Sequence, residues 1–311
     1  MNGNNSIENV VIVGMGALGL MFGERIAQNI GREHLRFLMD EGRRQRHADD
    51  LYTINGNRVS FQMTAPDEAG GSADLVVVAT KYSGLHEARD LIQCAVNENT
   101  TIVSLLNGIS SEEILAEVYP RKQILDCIAI GMDAVRDGTS LTYQNIGRWQ
   151  IGSTQGGQEE RLAALEEFLL RAGVPYEICP DIQRAMWNKF MINVGINQTC
   201  MVYGTNYGGA TAEGSRAFAD MEGAMHEVIR LAWAEGIRLT EEDYAKDIAL
   251  LRSLNPEGYP SMQQDAMAKR PSEVELFAGT VIRLAARHGL EVPVNRKYYQ
   301  EIQRIEQDYS R

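Results

Sequence analysis

Residues 9–19, Asn-Val-Val-Ile-Val-Gly-Met-Gly-Ala-Leu-Gly, read as a buried strand, a glycine turn and the opening of a helix. The glycines fit G-x-G-x-x-G in the one context that makes the pattern informative, directly after a strand and at the head of a helix. Gly14 permits the tight turn, Gly16 lets the backbone approach a pyrophosphate, and Gly19 lets the helix pack closely on the sheet. The intervening Met15, Ala17 and Leu18 complete a loop expected to bind a dinucleotide, with the helix N-terminus facing the phosphates. Apolar residues Leu18, Met21, Phe22, Ile26 and Ile30 keep helical spacing until Gly31, which closes a βα unit.

Outward from this unit the alternation continues. Residues 35–39, 73–80 and 100–108 are near-continuous apolar runs ending at turn residues, as suits strands covered on both faces of a parallel sheet. Residues 84–96 and 110–119 read as crossover helices, the second with Ser110 or Ser111 as its cap. After Tyr119 the texture turns β-rich, with strands expected to extend the same sheet and a hairpin at Arg136-Asp137-Gly138. An amphipathic helix follows and ends at Gly173; from about Pro180 only helical periods remain. The expected class is therefore α/β: a Rossmann-type dinucleotide-binding domain over residues 1–180, followed by an all-α C-terminal domain over residues 181–311 that binds substrate.

The chain has 311 residues, a net charge of −12 and a pI near 5.0, with no Lys/Arg run interleaved with aromatics, so neither a nucleic acid nor a membrane surface is an expected partner. Cys94, Cys127, Cys179 and Cys200 are scattered, and the five histidines sit in no ligand spacing; no metal site is expected. The polar start MNGNNS carries no leader signal, and a cytoplasmic location is expected.

Within residues 185–202, mostly apolar, Lys189, Asn193 and Asn197 fall at i, i+4 and i+8 and share one stripe. A polar line flanked by Met186, Phe190 and Val194 either binds a ligand or faces water on a surface helix. A lysine in a partly dry cleft can act as a general acid, protonating an alkoxide as hydride arrives at a carbonyl carbon. At the end of the second strand the message is mixed. Asp40 suits two ribose hydroxyls, Arg43 and Arg44 suit a 2′-phosphate, and the whole stretch also reads as a solvated mixed-charge loop.

Together these elements resemble the ketopantoate reductase (2-dehydropantoate 2-reductase) family over nearly the whole chain. The resemblance rests on VGMGALG, ATKYSGL with Lys81, SLLNGI with Asn107, WNKFMINVGIN, and SMQQDAMAKRPSEVE with Ser261 and Glu273. It implies that Lys189 is the catalytic acid with Glu273 near it, and that Asn193, Asn197 and Ser261 hold the substrate's carboxylate and hydroxyl groups. It also implies that Lys81 and Asn107 contact the cofactor; the residues from Gly14 to Gly19, and Asp40 and Arg43 after the second strand, are the other cofactor contacts expected from their own chemistry. Ser261 also reads as the cap of a helix starting at Met262, and Glu273 as a first-turn acid after Pro271-Ser272. Two positions depart from the family pattern: Asp40 stands where an arginine reads the 2′-phosphate, and Tyr207 stands where a further asparagine contacts substrate.

The resemblance implies an oxidoreductase that reduces 2-dehydropantoate to pantoate with NADP(H), a step of pantothenate biosynthesis, with NAD(H) as the alternative that Asp40 raises. The competing readings are an NAD-dependent 2-hydroxyacid dehydrogenase for another branched or aromatic 2-keto acid, and a non-catalytic dinucleotide sensor. The small-molecule keto acid is the expected partner. Leu276, Phe277, Val281 and Ile282 read either as core or as the interface of a homodimer.

Overall fold

The computed structural model describes residues 6–69 and 73–310. Residues 1–5, read above as a polar start, lie outside them. Five short apolar strands build the parallel heart of the first unit: β1 (Val10–Val13), β2 (Leu35–Leu38), β6 (Leu75–Val78), β7 (Thr101–Ser104) and the start of β8 (Ile124–Met132). Two further hairpin strands, β3 (Tyr52–Ile54) and β4 (Asn57–Val59), precede an edge strand, β5 (Gln62–Thr64). After β8 come β9 (Val135–Asp137), β10 (Ser140–Thr142), β11 (Ile146–Gly152) and β12 (Tyr176–Ile178).

The main sheet runs β12-β11-β8-β7-β6-β1-β2-β5, and only the β8–β11 pair is antiparallel. Val10 pairs with both Leu35 and Leu75, so strand order reverses at β1, where an open α/β sheet forms its ligand crevice. Alternate residues supply two cores: Val10, Ile12, Phe37 and Val77 on one face, Val11, Val13, Val76 and Ile102 on the other.

The crossover helices are α1 (Ala17–Ile30), α2 (Glu41–His47), the single turn α3 (Pro66–Ala69), α4 (Leu85–Leu91), α5 (Ser111–Ala116) and α6 (Glu159–Arg171). The second unit is helical: α7 (Ile182–Tyr203), α8 (Tyr207–Ala210), α9 (Arg216–Ala234), α10 (Glu241–Ser253), α11 (Ser261–Met267), α12 (Thr280–His288) and α13 (Pro293–Gln307). The compact units divide at Ile182–Gln183, except that Asn107–Ser110 groups with the helical unit.

One expectation needs correction, and two readings left open by the sequence are decided. β9 and β10 form the expected hairpin, yet they do not extend the main sheet; they join β3 and β4 in a second sheet ordered β4-β3-β10-β9. Leu141 of β10 is fully buried in the core with Tyr52 and Ile54 and pairs with Ile54 of β3, a partnership that anchors the hairpin in the second sheet. The stretch from Asp40 is not a loop but α2, because Asp40 Oδ1 accepts the Arg43 backbone N–H at 2.9 Å and caps the helix. Leu276, Phe277 and Val281 are fully buried in the chain itself, so they are core rather than a dimer face.

Candidate active site

In the first unit the glycine loop is shaped by backbone contact. A Cβ at Gly14 would lie 2.5 Å from the Ala79 carbonyl oxygen, and one at Gly19 would lie 1.9 Å from that of Gly14. Gly14 also holds φ +105°, which side chains rarely adopt. Behind the loop, α1 begins with no side-chain cap and no acidic residue in its first turn. Its N–H groups and the positive end of its dipole are thus left to an external anion. A dinucleotide pyrophosphate fits this cradle: glycines stand at the close approaches, and a Cβ at Gly16 would make only an ordinary contact, 3.7 Å from the Ala79 carbonyl oxygen.

Two residues that sequence reasoning passed over brace this loop. Arg136, from the β9–β10 hairpin, donates through Nη1 to the Met15 carbonyl, and the Tyr52 hydroxyl sits 3.9 Å from the Met15 sulfur. Burial is the first cause that pushes the Tyr52 phenol up to about 12, with its donation to Asp50 adding to it. The signal for this brace was the Asn55-Gly56 dipeptide, whose φ values of 48° and 79° make the hairpin turn between β3 and β4.

Past the end of β2, Asp40 both caps α2 and pairs with Arg43 Nε at 3.2 Å. Arg43 also donates to Glu87 at 2.8 Å, and Arg44 is paired with Glu41 at 2.7 Å. Lys81 follows β6, is exposed, and stands at the head of a short 3₁₀ turn.

In the helical unit, Lys189 and Asn193 are half-buried along α7 and Asn197 is buried, at 5% exposure. Asn197 Nδ2 donates to Asn193 Oδ1 at 3.3 Å, while its Oδ1 accepts from Ser261 Oγ at 3.3 Å and from the Met262 backbone N–H at 3.1 Å. Ser261 is therefore not the cap of α11: the position before the helix is Pro260, which has no polar side chain, and Asn197 caps it from across the unit. Glu273 Oε2 accepts from Asn107 Nδ2 at 3.2 Å, which joins two residues far apart in sequence.

Glu273 is not a first-turn acid of an ordinary helix. Its carbonyl receives the Leu276 and Phe277 N–H groups, and residues Glu275–Gly279 then form a π-helical turn. One amide of that turn, from Ala278, is satisfied by Gln198 Oε1 at 3.1 Å. Such turns recur at functional sites because they redirect side chains within a helix. Gln198 was not singled out from the sequence, since a lone glutamine on an apolar helix carries no motif.

The stripe on α7 thus meets Ser261, and Glu273 meets Asn107, within one unit. Amides and a hydroxyl brought together in this way can hydrogen-bond an oxygen-rich molecule. Among the described residues no group of three or more His, Cys, Asp or Glu side chains could hold a metal ion, and no helix is long and apolar enough to cross a membrane.

Residues 10–156 match the family described as "Ketopantoate reductase PanE/ApbA", and residues 181–306 match "Ketopantoate reductase PanE/ApbA C terminal". A 2-dehydropantoate 2-reductase of Halobacterium salinarum is 30% identical over 300 residues, covering 92% of this chain and 95% of that protein. Among solved structures, a D-mandelate dehydrogenase with NADH and anilino(oxo)acetate superposes with a TM-score of 0.85 at 22% identity, over 97% of this chain and all of the other. A PanE/ApbA family ketopantoate reductase from Ralstonia eutropha superposes at 0.81, also at 22% identity and with the same coverage. At that identity both likenesses are of fold.

Proposed function

The chain belongs to the ketopantoate reductase family, and from that premise we propose that it reduces 2-dehydropantoate to pantoate with Lys189 as the proton donor. The family's chemistry makes it an oxidoreductase that uses a nicotinamide dinucleotide. When bound, that cofactor supplies the hydride. The loop from Gly14 to Gly19 and the open head of α1 would hold its pyrophosphate, with Asp40, Arg43, Lys81 and Asn107 as further contacts.

The observation that carries the reading is the bonded array on α7. Asn197 is fixed by Ser261 and Met262 and in turn fixes Asn193, one turn from Lys189. Amide and hydroxyl groups fixed in this way would orient the substrate's carboxylate and hydroxyl. Lys189 would pass a proton to the carbonyl oxygen as negative charge develops there, an effect of about 10² to 10⁴ in rate. Glu273, held by Asn107, would orient the lysine.

The acids around α2 bear on cofactor choice. Both arginines that suit a 2′-phosphate are paired with carboxylates, and Asp40 follows β2, where the resemblance would put the residue that reads the 2′-group. This geometry favours NADH over the NADPH that the family pattern implies. It also favours a second reading, an NADH-dependent dehydrogenase for an aromatic 2-keto acid. Supporting it, Tyr207 opens α8 in place of the family asparagine, its backbone N–H bonded to Gly258 O at 3.0 Å.

A panel of 2-keto acids assayed with both cofactors separates the readings. Fastest oxidation with 2-dehydropantoate is expected. Faster turnover of an aromatic keto acid would support the second reading, and no turnover of any keto acid would overturn both.

A further inference from the structure

The turn of α7 that leads into Lys189 carries a buried polar pair that the proposed chemistry does not use. Two rungs join α7 to α10. In the first, Arg184 Nη2 donates to both Asp243 oxygens, at 2.6 and 2.7 Å. One turn on, Asn188 Nδ2 donates to Asp247 Oδ1 at 3.2 Å, and among the described residues no cation pairs with this carboxyl.

Asp247 is 5% exposed, yet its second oxygen, Oδ2, is buried without a partner. So is the second polar atom of its neighbour, Asn188 Oδ1. Two acceptors on the same pair are thus orphaned, a costly arrangement for an ionised carboxylate in an apolar setting. A single proton resolves both, because a carboxylic acid has one donor and one acceptor, the complement of a carboxamide.

We infer that Asp247 is held as a neutral carboxylic acid whose O–H donates to Asn188 Oδ1, closing a ring of two hydrogen bonds that positions the turn of α7 presenting Lys189. The part concerning Lys189 rests on the function proposed above; the protonation does not. Burial pushes the Asp247 carboxyl up to about 7, donation from Asn188 opposes this, and the charge of Asp243 adds to it. The charged groups nearby are otherwise engaged. Arg184 is committed to Asp243, and Glu222 and His226 of α9 reach α10 at Tyr244 and Glu241 instead. From the side of α8, the sequence Tyr207–Ala210 brings no acid or base beyond the Tyr207 phenol.

Asp247→Asn keeps both hydrogen bonds without a titrating group, so it is the informative variant. Infrared difference spectra of wild type against Asp247→Asn, taken about one unit below that pKa of about 7, are expected to show the carbonyl band of a protonated carboxylic acid in wild type alone. The band should vanish as pH rises through that value. A carboxylate signal there at the lower pH would overturn the inference, whether or not the chain turns over any keto acid.

For positioning, Asp247→Asn should keep the neutral-pH kcat and lose the part of its alkaline decline that follows Asp247. Asp247→Ala should lower kcat on the order of 10- to 100-fold with cofactor KM unchanged. Equal impairment of the two variants, or wild-type kcat in Asp247→Ala, would contradict the positioning role. Should Asp247→Ala not fold, the pH profile of Asp247→Asn decides: a profile identical to wild type overturns it.

Discussion

Asp40 shows how one side chain serves fold and chemistry together. As the cap of α2 it satisfies the Arg43 N–H, and as a carboxylate it holds the Arg43 guanidinium. Asp40→Ala is expected to cost about 1 kcal/mol of stability, the usual worth of a helix cap, measurable as a lower denaturant midpoint. Asp40→Arg should carry the same loss and add a donor for a 2′-phosphate, worth about 1.5 kcal/mol or roughly tenfold in affinity. Fluorescence titration with both cofactors checks this; an unchanged ratio of NADPH to NADH affinity would show that Asp40 does not read the ribose. At this scale the sequence was legible where chemistry and spacing coincide. Gly14 and Gly19 sit where a Cβ has no room, and the stripe of Lys189, Asn193 and Asn197 holds as a line on one helix. Bonds between remote residues were not legible: nothing in the local pattern says that Asn197 caps α11 or that Asn107 meets Glu273.

At the scale of elements, α11 depends on a cap borrowed from α7. Asn197→Ala removes the acceptor for Ser261 Oγ and the Met262 N–H together, and is expected to destabilise by about 1 to 2 kcal/mol. Its KM for the keto acid should rise more than its KM for cofactor, since the glycine loop lies in the other unit. Steady-state kinetics with each substrate varied in turn tests this, and a rise confined to the cofactor would place Asn197 outside the substrate site. The apolar strands of the main sheet and α6 were readable because buried strands of a parallel sheet read as continuous apolar runs and an amphipathic helix carries a strong period. The second sheet was only half legible, for the opposite reason. Arg136-Asp137-Gly138 marked the hairpin of β9 and β10, but the four strands are three residues each, too short for a period, and the joining of β10 to β3 has no local signal. The π-helical turn at Glu275–Gly279 was invisible as well, because it is stabilised by Gln198 from another helix.

For the whole molecule, buried acids set the pH dependence of stability. Glu112 is 4% exposed; burial pushes its carboxyl up to about 8, Asp126 adds to this, and the Glu112 amide, Ser111 and Arg121 oppose it. The folded state therefore keeps a proton that the unfolded chain releases above its ordinary value of 4.5. Between those two values unfolding releases that proton, so stability falls as pH rises, by up to about 1.4 kcal/mol per unit from this group, and the contribution levels off above about 8. Glu112→Gln should flatten the slope of stability against pH by about one proton, as followed by urea unfolding at a series of pH values. An unchanged slope would mean that Glu112 ionises in the folded chain.

In the proposed nicotinamide-dependent reduction the ammonium group of Lys189 is the proton donor. The most direct test mixes protein already holding reduced cofactor with 2-dehydropantoate and follows a single turnover in wild type and in Lys189→Ala. Equal cofactor affinity in the two proteins is predicted, with hydride transfer slower by about 10² to 10⁴ in the variant. A variant that transfers hydride at the wild-type rate would contradict it.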